Sequence, residues 1–319
     1  MKRIVSAVIL CSLTLIFIFS GKEVSANRVR NISDILTINK NTTVAAGDTL
    51  RVNDGGQIYI SPGVTLTIKG ALKCNSGGII FNRGKIVVKD SGTVTVGGKL
   101  ELLDAGTLTL GGRLTVGSDG VVSGTGSIDM KCDFSRINCD GSIKSKINAP
   151  KPVTKNGVTT VGGVLIVNKQ FSLPEDYGSG LNRSAYSAYL TMKNESGYDM
   201  SIISGFRSYE KQKQVYSYWC DRDGEEAASR YSAKPGQSEH QSGLAMDITS
   251  LETSYGKTDE GKWLARNCWK YGFIIRYPKG SESVTGYMYE PWHVRYLGKS
   301  VAKMVHDSGL SLEEFLGVG

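Results

Sequence analysis

The sequence predicts two domains of different class, an N-terminal all-β repeat domain best built as a β-solenoid and a C-terminal α+β domain. Three observations predict this. Glycines at 63, 77, 92, 106 and 120 recur every 14 or 15 residues, each after a short pair that is polar except for Ala105. Between them lie alternating segments such as Thr93-Val94-Thr95-Val96 and Arg113-Leu114-Thr115-Val116, whose period of two marks strands with one buried face. Beyond residue 160 this pattern gives way to a mixture of helical and strand periodicities.

In chain order, residues 1–26 read as a secretory signal or an uncleaved membrane anchor. A basic start, Met1-Lys2-Arg3, precedes an apolar run from Ile4 to Ser20 and the small residues Val24-Ser25-Ala26. Residues 27–135 form the repeat domain. An antiparallel meander turning at Gly97-Gly98 and Gly111-Gly112 would leave an apolar face from Val94 through Val116 uncovered. A solenoid with one narrow coil per 14-residue unit turns that face inward and is the expected architecture. The glycine-aspartate nonapeptide of calcium-binding β-rolls is absent.

Residues 136–160 lose the period and carry Ala149-Pro150-Lys151-Pro152, which reads as a linker. Residues 161–319 form the α+β domain. Helices are expected over 184–193, 209–219, 259–271 and 301–306, with Asp259 as N-cap and Gly272 as stop for the third. Strands are expected over 200–203, 273–277 and 289–296.

The chain carries 38 Lys and Arg against 30 Asp and Glu, a net charge of +8, which suits an anionic partner. No nucleic-acid-binding motif accompanies the charge, so a nucleic-acid partner is not expected. Past residue 26 the cysteines are Cys74, Cys132, Cys139, Cys220 and Cys268, an odd number whose spacing does not make a four-thiolate zinc site. One pair, Cys220 with Cys268 or Cys132 with Cys139, is a candidate disulfide.

The 3 histidines of the chain are His240, His293 and His306, and two of them fall in motifs. Ser238-Glu239-His240-Gln241-Ser242-Gly243-Leu244-Ala245-Met246-Asp247 sets a histidine and an aspartate seven apart, with Gly243 between them where the backbone must pass close. Asp247 is flanked by Met246 and Ile248, a setting in which an unpaired carboxylate is costly and a metal would satisfy it. Glu290-Pro291-Trp292-His293 offers a third ligand and, three residues earlier, a carboxylate. Two imidazoles and one carboxylate leave a tetrahedral Zn²⁺ with an open position, the mark of a catalytic zinc site. Glu290 is then the natural general base. Positions 290 and 293 on one strand would face opposite ways, so Pro291 has to bend the chain for both to reach the metal.

These motifs, Ser-x-His-x-x-Gly-x-Ala-x-Asp followed by Glu-Pro-Trp-His, resemble the signature of the VanY-type D-alanyl-D-alanine carboxypeptidases, zinc metallopeptidases of the group that includes lysostaphin-type enzymes and the hedgehog signalling domain. Val167-Asn168-Lys169, Ser204-Gly205-Phe206-Arg207-Ser208-Tyr209, Tyr271-Gly272-Phe273, Arg276-Tyr277-Pro278 and Leu312-Glu313-Glu314 follow the same family in order, so the resemblance runs from about 164 to 317. It implies one zinc on His240, Asp247 and His293, Glu290 as catalytic base, and Arg207 stabilising negative charge on the substrate carbonyl. It also suggests that Ser238 and Gln212 contact the substrate's terminal carboxylate. Trp292 is expected to pack, and His306 lies outside any motif.

The implied activity is trimming of peptidoglycan stem peptides by an exported enzyme, secreted or wall-associated, and membrane-anchored if the signal is kept. Within that resemblance stand an L,D-carboxypeptidase, an endopeptidase and a non-catalytic wall-binding adaptor. Anionic wall polymers are a further partner that the basic charge suits.

Overall fold

The structure, a computed structural model, describes residues 28–319, and the signal segment expected over 1–26 lies outside the described residues. From 29 to 148 the chain forms eighteen short strands, β1–β18, in three six-stranded sheets. Strands three apart in sequence pair in parallel: Val29 lies beside Thr49, Thr49 beside Ala71, Ala71 beside Thr93 and Thr93 beside Arg113. The result is a three-sided β-solenoid whose inward residues, among them Leu66, Leu100, Leu108 and Val116, are wholly buried.

The solenoid is as expected, but its coil is not the 14-residue unit. From Thr65 to Val121 successive turns advance by 20 residues, as from Thr93 to Arg113, or by 22, as from Lys99 to Val121. Over the same stretch each four-residue strand is followed alternately by a two-residue corner, such as Gly97-Gly98, and a four-residue corner, such as Leu103-Asp104-Ala105-Gly106. Two sides therefore repeat every 14 residues while three sides close a turn. The tight corners nest against the turn before: a Cβ on Gly98 would lie 2.3 Å from the Gly78 carbonyl oxygen.

No free linker occupies 136–160. Ile137–Cys139, Ser142–Ile143 and Lys146–Asn148 form the last rung of the solenoid, and their shortened strands are why the glycine period fades there. After Pro150 and Pro152, β19 (Val153–Lys155), β20 (Val158–Val161) and β21 (Val164–Leu165) make a small antiparallel sheet.

The C-terminal domain is α+β, as expected. Its antiparallel sheet runs β22 (Ile202–Ser204), β23 (Ala245–Ile248), β25 (Glu290–Tyr296), β24 (Phe273–Tyr277). Around it lie α1 (Arg183–Ser196), α2 (Tyr209–Asp223), α3 (Glu225–Ala228), α4 (Asp259–Asn267), α5 (Glu282–Thr285), α6 (Lys299–Ser308) and α7 (Leu312–Leu316). Thr258, rather than Asp259, caps α4 by accepting from the Gly261 amide, while Gly272 at φ 93° ends the 3₁₀ turn that follows.

Helices α6 and α7 close the end of the solenoid. Phe134 and Ile143 share one continuous core with Val301, Val305 and Phe315. The Phe134 and Phe315 rings lie 5.4 Å apart, and the Cys139 amide donates to Ser300 Oγ at 3.2 Å. All five described cysteines are free, so neither candidate disulfide is formed.

Candidate metal centre

Three ligands arrive from two neighbouring strands and one turn. The antiparallel register of β23 and β25 sets Asp247 opposite His293. His240 comes from the 3₁₀ turn Glu239–Ser242, which ends at Gly243 in the left-handed conformation with φ 70°. A Cβ there would lie 2.2 Å from the Gly180 carbonyl oxygen, so the close backbone passage expected from the sequence is real.

The ligand atoms of His240, Asp247 and His293 all lie within 4.8 Å of one another. Asp247 bridges the imidazoles: Oδ2 is 3.1 Å from His240 Nε2 and Oδ1 is 3.1 Å from His293 Nδ1. His240 Nδ1 donates to the Gly205 carbonyl oxygen at 2.7 Å, which leaves Nε2 as the lone-pair nitrogen facing the cluster. His293 is turned the other way, with Nδ1 in the cluster and Nε2 facing Glu239 Oε2 at 3.7 Å.

Glu290 Oε2 lies 3.5 Å from His293 Nδ1, so both residues reach the site from one strand. The expected bend is present: Ile275 pairs with Val294 but Tyr277 pairs with Glu290, so β25 accommodates extra residues at Pro291-Trp292.

The electrostatics suit a cation. Burial alone would raise the Asp247 carboxyl, but the two imidazoles beside it hold it well below the usual carboxylate range. Burial lowers His240. Burial would also lower His293, yet the carboxylates of Asp247 and Glu239 facing its two nitrogens carry it to about 9. Burial pushes Glu290 up to about 8, so its carboxyl is poised to hold a proton near neutral pH. Asp247 Oδ1 is buried with no hydrogen-bond partner. Two imidazoles and one carboxylate, whose Oδ1 is left without a hydrogen-bond partner, fit Zn²⁺.

Arg207 stands beside this cluster, with Nη2 4.0 Å from Asp247 Oδ2. It is pinned by two hydrogen bonds of 2.7 Å, from Nη1 to Gln212 Oε1 and from Nη2 to Ser204 Oγ. Gln212 differs from the expectation. It is wholly buried, and its Nε2 donates to the Ala233 carbonyl oxygen at 2.6 Å while its Oε1 accepts from Arg207, so both ends of the side chain have protein partners. Ser238 does line the cleft, which has a volume of about 940 Å³ and also admits Tyr277, Tyr287 and Glu290. Trp292 packs in the core with Met246 and Val294. His306 lies on α6, stacked on Trp269.

Sequence reasoning gave Glu239 no role, although it sits next to His240. Its Oε1 accepts from Arg276 Nε at 2.8 Å and from Arg295 Nη1, all in the buried interior. Arg276 passes on to Glu313 of α7 through bonds of 2.8 and 2.5 Å. Burial alone would raise Glu239, but the two guanidinium groups hold it far below its usual value, so it faces His293 as a carboxylate.

The model of the VanY family, D-alanyl-D-alanine carboxypeptidase, matches residues 179–299, a stretch that contains every ligand. The chain is 41% identical over 178 residues to putative carboxypeptidase YodJ of Bacillus subtilis (strain 168), covering 47% of this chain and 65% of that protein. It is 33% identical over 180 residues to a D-alanyl-D-alanine carboxypeptidase of Enterococcus faecium, covering 53% of this chain and 56% of that protein. The chain thus spans less than two thirds of either curated relative. Among solved structures, an L,D-carboxypeptidase DacB from Streptococcus pneumoniae is 40% identical, covering 53% of this chain and 96% of that one with a TM-score of 0.47. The match over 179–299, together with a metal-ligand set that falls wholly inside it, makes the C-terminal domain of this chain a member of the VanY family.

Proposed function

We propose that the C-terminal domain is a zinc-dependent carboxypeptidase that removes the terminal D-amino acid from peptidoglycan stem peptides, with D-alanine of a D-Ala-D-Ala end as the leading substrate. The observation that carries this is one cluster, the three ligand atoms within 4.8 Å with Glu290 Oε2 3.5 Å from His293 Nδ1. Bound there, Zn²⁺ supplies the Lewis acidity that activates water and polarises an amide carbonyl.

The chain's own residues do the rest. Gly205 fixes the His240 tautomer and Glu239 aims His293. Glu290, 3.5 Å from His293 Nδ1 at the edge of the cluster, takes a proton at its carboxylate and returns it to the leaving amine. Arg207, held by Gln212 and Ser204, offers a fixed guanidinium to the charge that develops on the carbonyl oxygen. Ser238, at the cleft wall, offers a hydroxyl to the substrate's terminal carboxylate.

Export is part of the proposal. Its support is the basic start and apolar run of residues 1–20, and the charge of +8 suits an anionic wall. The test is release of D-alanine from a D-Ala-D-Ala-ended pentapeptide by full-length protein, metal-stripped and then zinc-restored. Zinc-restored release supports the reading. Release from a tetrapeptide alone would replace it by an L,D-carboxypeptidase, and cleavage of cross-linked dimers alone by an endopeptidase. No metal-dependent release from any of the three would overturn it.

A further inference from the structure

The cleft is longer than the cluster it contains. Six residues of α2 line it, Lys211, Gln214, Val215, Tyr218, Trp219 and Arg222, spaced so that they share one face of the helix. That face is not spent on the core, since Gln212 is the one buried residue of α2. Tyr218 is 59% exposed, and Leu251, which lines the same cleft, is 51% exposed. Large apolar side chains left bare in a cleft mark a place where something docks.

The far end of this wall is built to be stiff. The Arg222 guanidinium lies 4.0 Å over the Trp219 ring, while Tyr218 and Tyr231 meet that ring edge-on at 5.1 and 5.5 Å. Asp223 ties the group together, accepting from Arg222 Nε at 2.8 Å and Nη2 at 2.6 Å and from the Tyr231 hydroxyl. The rings are therefore preorganised, and their ordering cost is met before any ligand arrives.

Length identifies what fits. Arg207, just before the start of α2, stands at the metal cluster, and Tyr218 and Trp219 are seven and eight helical steps beyond Lys211, about 11–12 Å at 1.5 Å per residue. An extended peptide advances about 3.4 Å per residue, so this stretch matches about three residues. With its scissile end at the metal, a stem peptide laid along α2 reaches Tyr218 and Trp219 where it joins its sugar. Aromatic rings with polar tips suit the apolar face and hydroxyl rim of a sugar ring.

We infer that Tyr218, Trp219 and Leu251 form a distal subsite for the sugar-proximal end of a muramyl peptide, so that the domain selects stems still attached to saccharide. This rests on the wall-peptide reading above but is tested apart from it. The probe is a disaccharide-tripeptide, which lacks the scissile bond, titrated calorimetrically into full-length wild type, Tyr218→Ala and Leu251→Ala. Both substitutions remove exposed side chains, so thermal midpoints should stay within a few degrees of wild type. Binding is expected to weaken about tenfold in each variant. In parallel, the wild-type preference in kcat/KM for disaccharide-pentapeptide over the bare pentapeptide should collapse about tenfold in Tyr218→Ala. Equal titration curves in all three proteins would overturn the subsite even if the enzyme is active. Absence of turnover on every peptide, with the binding difference intact, would instead sink the catalytic reading and leave the subsite standing.

Discussion

Glu239 shows what a linear sequence hides at the scale of one residue. The clustering of His240, Asp247 and His293, with Glu290 beside them, was legible because each sits in a short motif whose spacing makes chemical sense. Glu239 was not, because its partners Arg276 and Arg295 lie 37 and 56 positions further along the chain, and Glu313, the other carboxylate that Arg276 holds, lies 74 positions further. The setting of Gln212 was hidden for the same reason: only the fold shows that its two ends meet Arg207 and Ala233. The buried network makes a prediction. Glu239→Gln weakens the acceptor that faces His293 Nε2, and zinc affinity measured by chelator competition should fall about 10- to 100-fold. Unchanged affinity would remove Glu239 from the site. Glu290→Gln should do the reverse, keeping zinc while lowering kcat about 100-fold or more. Should a biological effect survive that substitution in full, the protein would be acting as a binding module.

At the scale of the element, the strands of the solenoid were plain from their period of two, and the buried face followed from it. The turn length was not, because the sequence repeats over two sides while the molecule closes over three. Corners of two and four residues alternate, so each tight corner stacks on a neighbour it does not resemble in sequence. This predicts unequal tolerance among the glycines. A Cβ on Gly112 would lie 2.1 Å from the Gly92 carbonyl oxygen, a backbone atom that cannot step aside alone. Gly112→Ala should cost about 1–3 kcal/mol in urea unfolding. On Gly117 the nearest atom would be 3.8 Å away, and Gly117→Ala should stay within about 0.5 kcal/mol of wild type. Equal costs at the two positions would mean that the corners do not nest in this way.

The whole molecule is a fused body where the sequence suggested two domains on a tether. Prolines 150 and 152 and the fading glycine period read as a linker, but the last rung of the solenoid is roofed by α6 and α7, a long-range contact with no local sign. The roof is also tied to the candidate metal centre through buried charges. Phe134 of the solenoid packs on Phe315 of α7, the same helix carries Glu313, and Glu313 holds Arg276 against Glu239. A body joined in this way should unfold as one. Calorimetry of the full-length protein is therefore expected to give a single transition, and zinc at 100 times its Kd should stabilise that transition by about 2.7 kcal/mol, solenoid included. Phe134→Ala, which empties a site 1% exposed in the wild type, should destabilise the whole by about 3–5 kcal/mol. It should also weaken zinc binding at a centre that Phe134 does not touch, because α7 loses the surface that sets Glu313. Two transitions, only the upper or lower of them answering to zinc, would show instead that the solenoid is a neighbour and not a part of the metal-binding body.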